Sequence, residues 1–269
     1  MSILAALMDN GAIFALTGAF AGFMAGVLGI GGGMIVVPAL AFIFHHSQII
    51  PDALEMHVAA GSSLAIMIFT AQASVRAHRK TGEILWPIYH RLWPGILFGT
   101  ISGAIIADLL PTDWLKIIFG IFLLIIAFKM LANIHVDHPH HVPSIWVDRL
   151  ISYLIGFKSG LLGIGGGALI VPYLNYCGVN TYKIPAVSSL CTLTVAMIGT
   201  IAFIVTGSNE VGLPEFCSGY VYWPAVIWVA IPSMLFAPIG AQITYALPVQ
   251  QLKYGFTAIL FIAALDLIF

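Results

Sequence analysis

The stretch GVLGIGGGMIVVP, Gly26 to Pro38, lies inside a run of 34 residues, Gly11 to Phe44, with no Asp, Glu, Lys or Arg. As one continuous helix that run would be about 50 Å long, well beyond the ~30 Å hydrocarbon core of a bilayer. It must therefore tilt steeply, turn back or break. Gly31, Gly32 and Gly33 each lack a Cβ and favour a break, and Pro38 is expected to stop the helix beyond it.

The rest of the chain makes a bilayer the relevant solvent. With 269 residues, 60% hydrophobic and only 8% charged, and a mean hydropathy of +1.03, there are too few polar side chains to cover a water-soluble globule. Further charge-poor runs are Met56 to Val75, Leu92 to Ala107, Ile117 to Phe128, Ser159 to Tyr182, Ile184 to Asn209, Phe216 to Leu252 and Tyr254 to Leu265. Together they predict an all-α, multi-pass protein of about eight membrane segments, because barrel strands would be short and alternating. No secretory signal is expected at the N-terminus. A net charge of -1 excludes an extensive nucleic-acid surface, and Cys177, Cys191 and Cys217, lacking metal-ligand spacing, read as inert thiols.

The opening motif returns as GLLGIGGGALIVP, Gly160 to Pro172. GSSL (Gly61 to Leu64) then corresponds to VSSL (Val187 to Leu190), and GAIIADLLP (Gly103 to Pro111) to GAQITYALP (Gly240 to Pro248). Three blocks in the same order predict two homologous halves of about four segments each, residues 1–134 and 148–269. They are joined by a polar, His-rich linker over 135–147. The loop Arg76 to Glu83 carries Arg76, Arg79 and Lys80 and is expected in the cytoplasm, whereas its counterpart, Thr206 to Tyr220, has no Lys or Arg but carries Glu210 and Glu215. This swap is expected of inverted repeats, with parallel halves as the alternative.

A broken helix in lipid leaves amides without partners, at a cost of several kcal/mol per group unless protein, water or a ligand meets them. Where a half-helix restarts, its free N–H groups and positive dipole end favour an anion. The triple glycines Gly31 to Gly33 and Gly165 to Gly167 are therefore expected to converge on one substrate. The spaced glycines Gly18, Gly22, Gly26, Gly156 and Gly160 read instead as helix-packing positions. Ser62, Ser63, Ser188 and Ser189 could donate to an oxyanion, or serve as caps and interhelical bonds. Lys158, inside an apolar segment, could balance a bound anion or snorkel to the interface. The linker histidines His135, His138, His140 and His141 read as a solvated loop rather than a metal tract. Pro224, Pro232 and Pro238 predict a kinked or split segment.

The doubled GF..G.LGIGGG..IVP pattern followed by SSL resembles the sulfite exporter TauE/SafE family, over nearly the whole chain. The resemblance implies a multi-pass permease of the bacterial cytoplasmic membrane that moves small sulfur-containing anions, such as sulfite or sulfonates, usually outward. On that reading the protein is a secondary transporter working by alternating access and not an enzyme. An anion channel and a metal-cation permease are the alternatives. The expected partners are the bilayer and a small sulfur-containing anion, with no metal, cofactor or nucleic acid. Proton coupling and a homodimeric state are compatible with it.

Overall fold

The computed structural model describes residues 3–28, 32–81, 85–131, 144–179, 183–243 and 249–268. Gly31 and the linker histidines lie outside them. The run Gly11 to Phe44 is broken where the glycines predict. Helix α1 spans Ile3–Leu28 and α2 spans Gly33–Ser47. Next come α3 (Glu55–Thr81), α4 (Trp86–Leu109) and α5 (Thr112–Leu131). The second half repeats the order with α6 (Ile145–Leu162), α7 (Gly167–Tyr176), α8 (Ile184–Thr206), α9 (Trp223–Ile243) and α10 (Val249–Ile268). A two-stranded hairpin, β1 (Cys217–Ser218) and β2 (Val221–Tyr222), precedes α9.

Several local expectations are corrected. Pro38 does not stop α2, which runs on to Ser47, and α9 continues through Pro232 and Pro238. Pro38 is buried among neighbouring helices, Pro232 is half-buried and Pro238 is exposed, and membrane helices tolerate the lost hydrogen bond. Arg76, Arg79 and Lys80 sit on the final turns of α3 rather than in a loop, where their charge suits the negative end of the helix dipole. Four segments per half, with the glycine-rich one divided between two helices, account for the five helices on each side of the linker.

Five stretches are long and apolar enough to cross a bilayer, Asp52–Arg76, Trp86–Leu109, Thr112–Leu131, Ile184–Asn209 and Trp223–Gly240. All six tryptophans are exposed, and Trp86, Trp114, Trp146 and Trp223 stand at helix starts, the depth favoured by amphipathic rings in a bilayer.

The halves interleave. Helix α1 packs on α9, and its counterpart α6 packs on α4. Both contacts are parallel and close: a Cβ on Gly18 or Gly22 would meet the carbonyls of Val229 or Ser233, and one on Gly99 or Gly103 those of Tyr153 or Phe157. Gly18, Gly22, Gly156 and Gly160 thus pack helix on helix. Corresponding helices α3 and α8 cross antiparallel, with Gly61 beside Phe203 and Leu64 beside Gly199. Helices α5 and α10 are also antiparallel, since Gly120 faces Ala264 and Ile268 while Phe128 meets Phe261.

Candidate functional site

The two helices restart after their glycines in the same way. Gly163 takes a φ of 68°, a left-handed conformation that a side chain would strain, and Ile164 N–H reaches back to Ser159 O at 3.1 Å. Gly166 then restarts the chain as α7, its carbonyl accepting from Leu169 N at 3.1 Å and Ile170 N at 2.9 Å. Gly32 does the same for α2, accepting from Ile35 N and Val36 N at 3.0 Å. No side chain caps either start, and first-turn amides have no acceptor within their own helix. Each restarted helix folds back on the one before it. A Cβ on Gly32 would lie 3.8 Å from Ala25 Cβ of α1, and one on Gly166 3.4 Å from Ile155 Cγ2 of α6.

The tips of these two hairpins meet at Met67, near the middle of α3. A Cβ on Gly33 would lie 3.0 Å from Met67 Sδ and 3.1 Å from Ile164 Cα, and one on Gly165 would lie 3.1 Å from the same sulfur and 2.7 Å from Thr192 Cγ2. Met67 is buried, so its flexible thioether plugs the seam between the tips. At about 1.5 Å per residue, Met67 stands roughly 18 Å along α3 from Glu55, well inside the span.

Ala60, Ser63 and Met67 follow one another at helical spacing on one face of α3, and Ala60 lies against the Gly163 turn. Ser63 thereby faces the same turn. It is fully buried, and its hydroxyl has no hydrogen-bond partner; the Ser159 hydroxyl, one turn before Gly163, is in the same condition. Burying an unmet hydroxyl costs about 1–3 kcal/mol, so two beside one helix start form a polar lining with bonds left to make.

The other serines are occupied differently. Ser62 Oγ accepts from Tyr222 N at 2.9 Å, tying α3 to β2, and Ser189 Oγ donates to Ala186 O at 3.1 Å in its own helix. Ser188 is buried at the start of α8. Adjacent serines therefore predict opposite outcomes. Ser62→Ala strands the Tyr222 amide and should destabilise the protein by about 1–3 kcal/mol. Ser63→Ala should leave the unfolding temperature unchanged or slightly raised while weakening substrate binding by about tenfold, a loss of ~1.4 kcal/mol. Thermal unfolding and binding titrations on both variants check this. Lys158 is half-buried, with its ammonium 3.7 Å from the centre of the Phe122 ring on α5, a cation–π contact.

A charged cluster that the sequence reading missed lies at the far end of α2. Glu55 is fully buried; one carboxylate oxygen is 2.8 Å from Lys116 Nζ and the other is 2.9 Å from His45 Nδ1. A cavity of about 520 Å³ opens beside them, lined also by Asp113 and Asp266. His45, Asp52 and Glu55 present ligand atoms within 4.8 Å of one another, but Lys116 already neutralises Glu55, so the group is charge-compensated without a metal. No short-range pattern could reveal it, because Lys116 is far away in sequence. A second ion pair, Arg91 to Asp148 at 2.6 Å, joins α4 to α6, with Tyr173 of α7 donating to the same carboxylate.

The family model described as Sulfite exporter TauE/SafE matches residues 14–267, a span that runs from the middle of α1 to the last turn of α10 and takes in both glycine motifs. The chain belongs to the TauE/SafE family. Among similar proteins, a probable membrane transporter protein of Haemophilus influenzae is 34% identical over 253 residues, covering 94% of this chain and 96% of its own. One from the archaeon Methanocaldococcus jannaschii is 29% identical, covering 91% and 90%. Another, YdhB of Bacillus subtilis, is 23% identical, covering 92% and 96%. No solved structure matches. A TauE/SafE chain with relatives named as transporters and five spanning-capable helices is a multi-pass transporter of the cell membrane.

Proposed function

We propose that the protein is a secondary transporter that exports small sulfur-containing anions, sulfite or sulfonates, by alternating access. The observation that carries this reading is the meeting of both glycine tips at Met67, beside the unpartnered Ser63 hydroxyl. The amides at Gly31 to Gly33 and Gly165 to Gly167, with hydroxyls from Ser63 and, as the seam opens, Ser62, Ser188 and Ser189, offer donors to an oxyanion. Lys158 supplies countercharge from its place over Phe122. Donors fixed at helix starts replace the anion's hydration shell without a strongly basic pocket, so release stays easy.

Alternating access follows from the arrangement of the halves. Corresponding helices cross antiparallel at α3–α8 and α5–α10, and the basic end of α3 is swapped for an acidic loop after α8, which supports inverted repeats. Two hairpins of opposite sense would then open in turn, each withdrawing from Met67 toward its own side of the bilayer. Radiolabelled sulfite, taurine, sulfate and a divalent metal ion, offered to liposomes containing the purified protein, test the assignment. Saturable counterflow of a sulfur anion is expected. Movement of the metal alone would overturn it, and currents of many ions per opening would make the protein a channel.

A further inference from the structure

We propose that His45 and Glu55 form the proton-binding site that couples transport to the pH gradient, a proposal resting on the carrier reading above. The two residues close the outer ends of the elements that build the substrate seam. Helix α2 carries Gly33 at its start and His45 in its last turn, about 18 Å apart, while α3 begins at Glu55 and carries Ser63 and Met67. The 2.9 Å bond between His45 Nδ1 and Glu55 Oε1 therefore latches the far end of the first hairpin to the helix its tip presses on.

The chemistry of the latch selects the ligand. Glu55 can only accept at that bond, so neutral His45 donates from Nδ1 and leaves the Nε2 lone pair free for a proton from water. Protonation there adds a positive charge to a bond that the carboxylate already makes charge-assisted, and the imidazolium–carboxylate pair holds the latch more tightly. The surroundings favour a cation: Asp52 lies 3.9 Å from His45, and the cavity is lined by Asp113 of α5 and Asp266 of α10. Lys116 of α5 and the neighbouring His46 are the basic groups that face the pair. An anionic substrate would be repelled. A metal ion at Glu55 would sit against the Lys116 ammonium, whereas a proton on His45 displaces nothing. His45 is more than half exposed and reaches the cavity directly. The basic residues at the opposite end of α3 place this cavity on the face away from the cytoplasm.

The device belongs to one half. Between Pro172 and Ser188 the second repeat has no His, Asp or Glu, so the His–carboxylate pair is not duplicated there, and α7 is tied instead through Tyr173 to Asp148 of α6. Proton binding would therefore clamp the first hairpin alone, and proton loss would free it to swing.

The test uses the full-length protein in liposomes with taurine as the probe, and His45→Gln as the variant because it preserves a hydrogen bond to Glu55 at an exposed position. With one proton moving per taurine, a gradient of one pH unit should drive up to about tenfold accumulation by the wild type. In His45→Gln the accumulation should fall to about onefold while counterflow persists. Undiminished accumulation in the variant, or accumulation driven by a sodium or divalent-ion gradient instead, would overturn the proposal. If the wild type carries no sulfur anion, the carrier reading fails separately, and hydrogen exchange still decides the latch. After correction for intrinsic rates, amides of residues 34–47 should gain protection as the pH is lowered from about 8 to about 6 in the wild type but not in His45→Gln. Equal behaviour of the two proteins would rule the latch out.

Discussion

Gly33→Leu should abolish transport while leaving the protein folded and inserted. Even a Cβ at this position would stand 3.0 Å from Met67 Sδ and 3.1 Å from Ile164 Cα. The thioether can bend away, but the backbone of the opposite tip cannot, so a leucine holds the two hairpins apart and fills the seam with hydrocarbon. Overpacking of this kind costs about 1–3 kcal/mol, which a folded protein usually survives, whereas any anion held by the tip amides loses its place. Counterflow of sulfite in liposomes should drop to background, with the size-exclusion profile retained and the unfolding temperature lowered by only a few degrees. The neighbouring glycine provides the control. A Cβ on Gly32 meets nothing closer than 3.8 Å, so Gly32→Ala should transport. Wild-type counterflow from Gly33→Leu would remove the seam from the transport path.

These glycines also mark how far the sequence could be read. The doubled motif predicted the breaks because length and the missing Cβ atoms are local properties. The two copies of the motif also restart alike, α2 after Gly32 and α7 after Gly166 with nearly matching backbone angles. Sequence could not tell Ser62 from Ser63. Which adjacent hydroxyl ties down β2 and which stays unpaired depends on the azimuth of α3 against a hairpin some 160 residues away. The Glu55–Lys116–His45 cluster was hidden for the same reason, because α2, α3 and α5 bring it together only after packing. Pro38 misled because a single side chain was judged without the neighbours that shield the interrupted turn.

The packing glycines should fail in a different way, and Gly103→Leu is the sharpest case. A Cβ there would sit 2.1 Å from Phe157 O and 2.8 Å from Leu161 N, both backbone atoms of α6. Gly99 and Gly95 make contacts as close one and two turns earlier, while Gly156 and Gly160 return the approach against Ile96 and Thr100. No rotamer change relieves such a clash, so the two axes must separate along their whole length. Apolar lipid gives separated helices little hydrophobic reason to stay together, and close van der Waals packing must supply the association. Since α4 belongs to the first half and α6 to the second, the loss falls on the join between halves. Gly103→Leu should therefore cost more than about 4 kcal/mol and yield aggregated or degraded protein, read as loss of the monodisperse size-exclusion peak, whatever substrate is added. A monodisperse Gly103→Leu protein with wild-type unfolding would mean that α4 and α6 can part without consequence. The interleaved halves would then need some other contact to keep the two tips aligned at Met67.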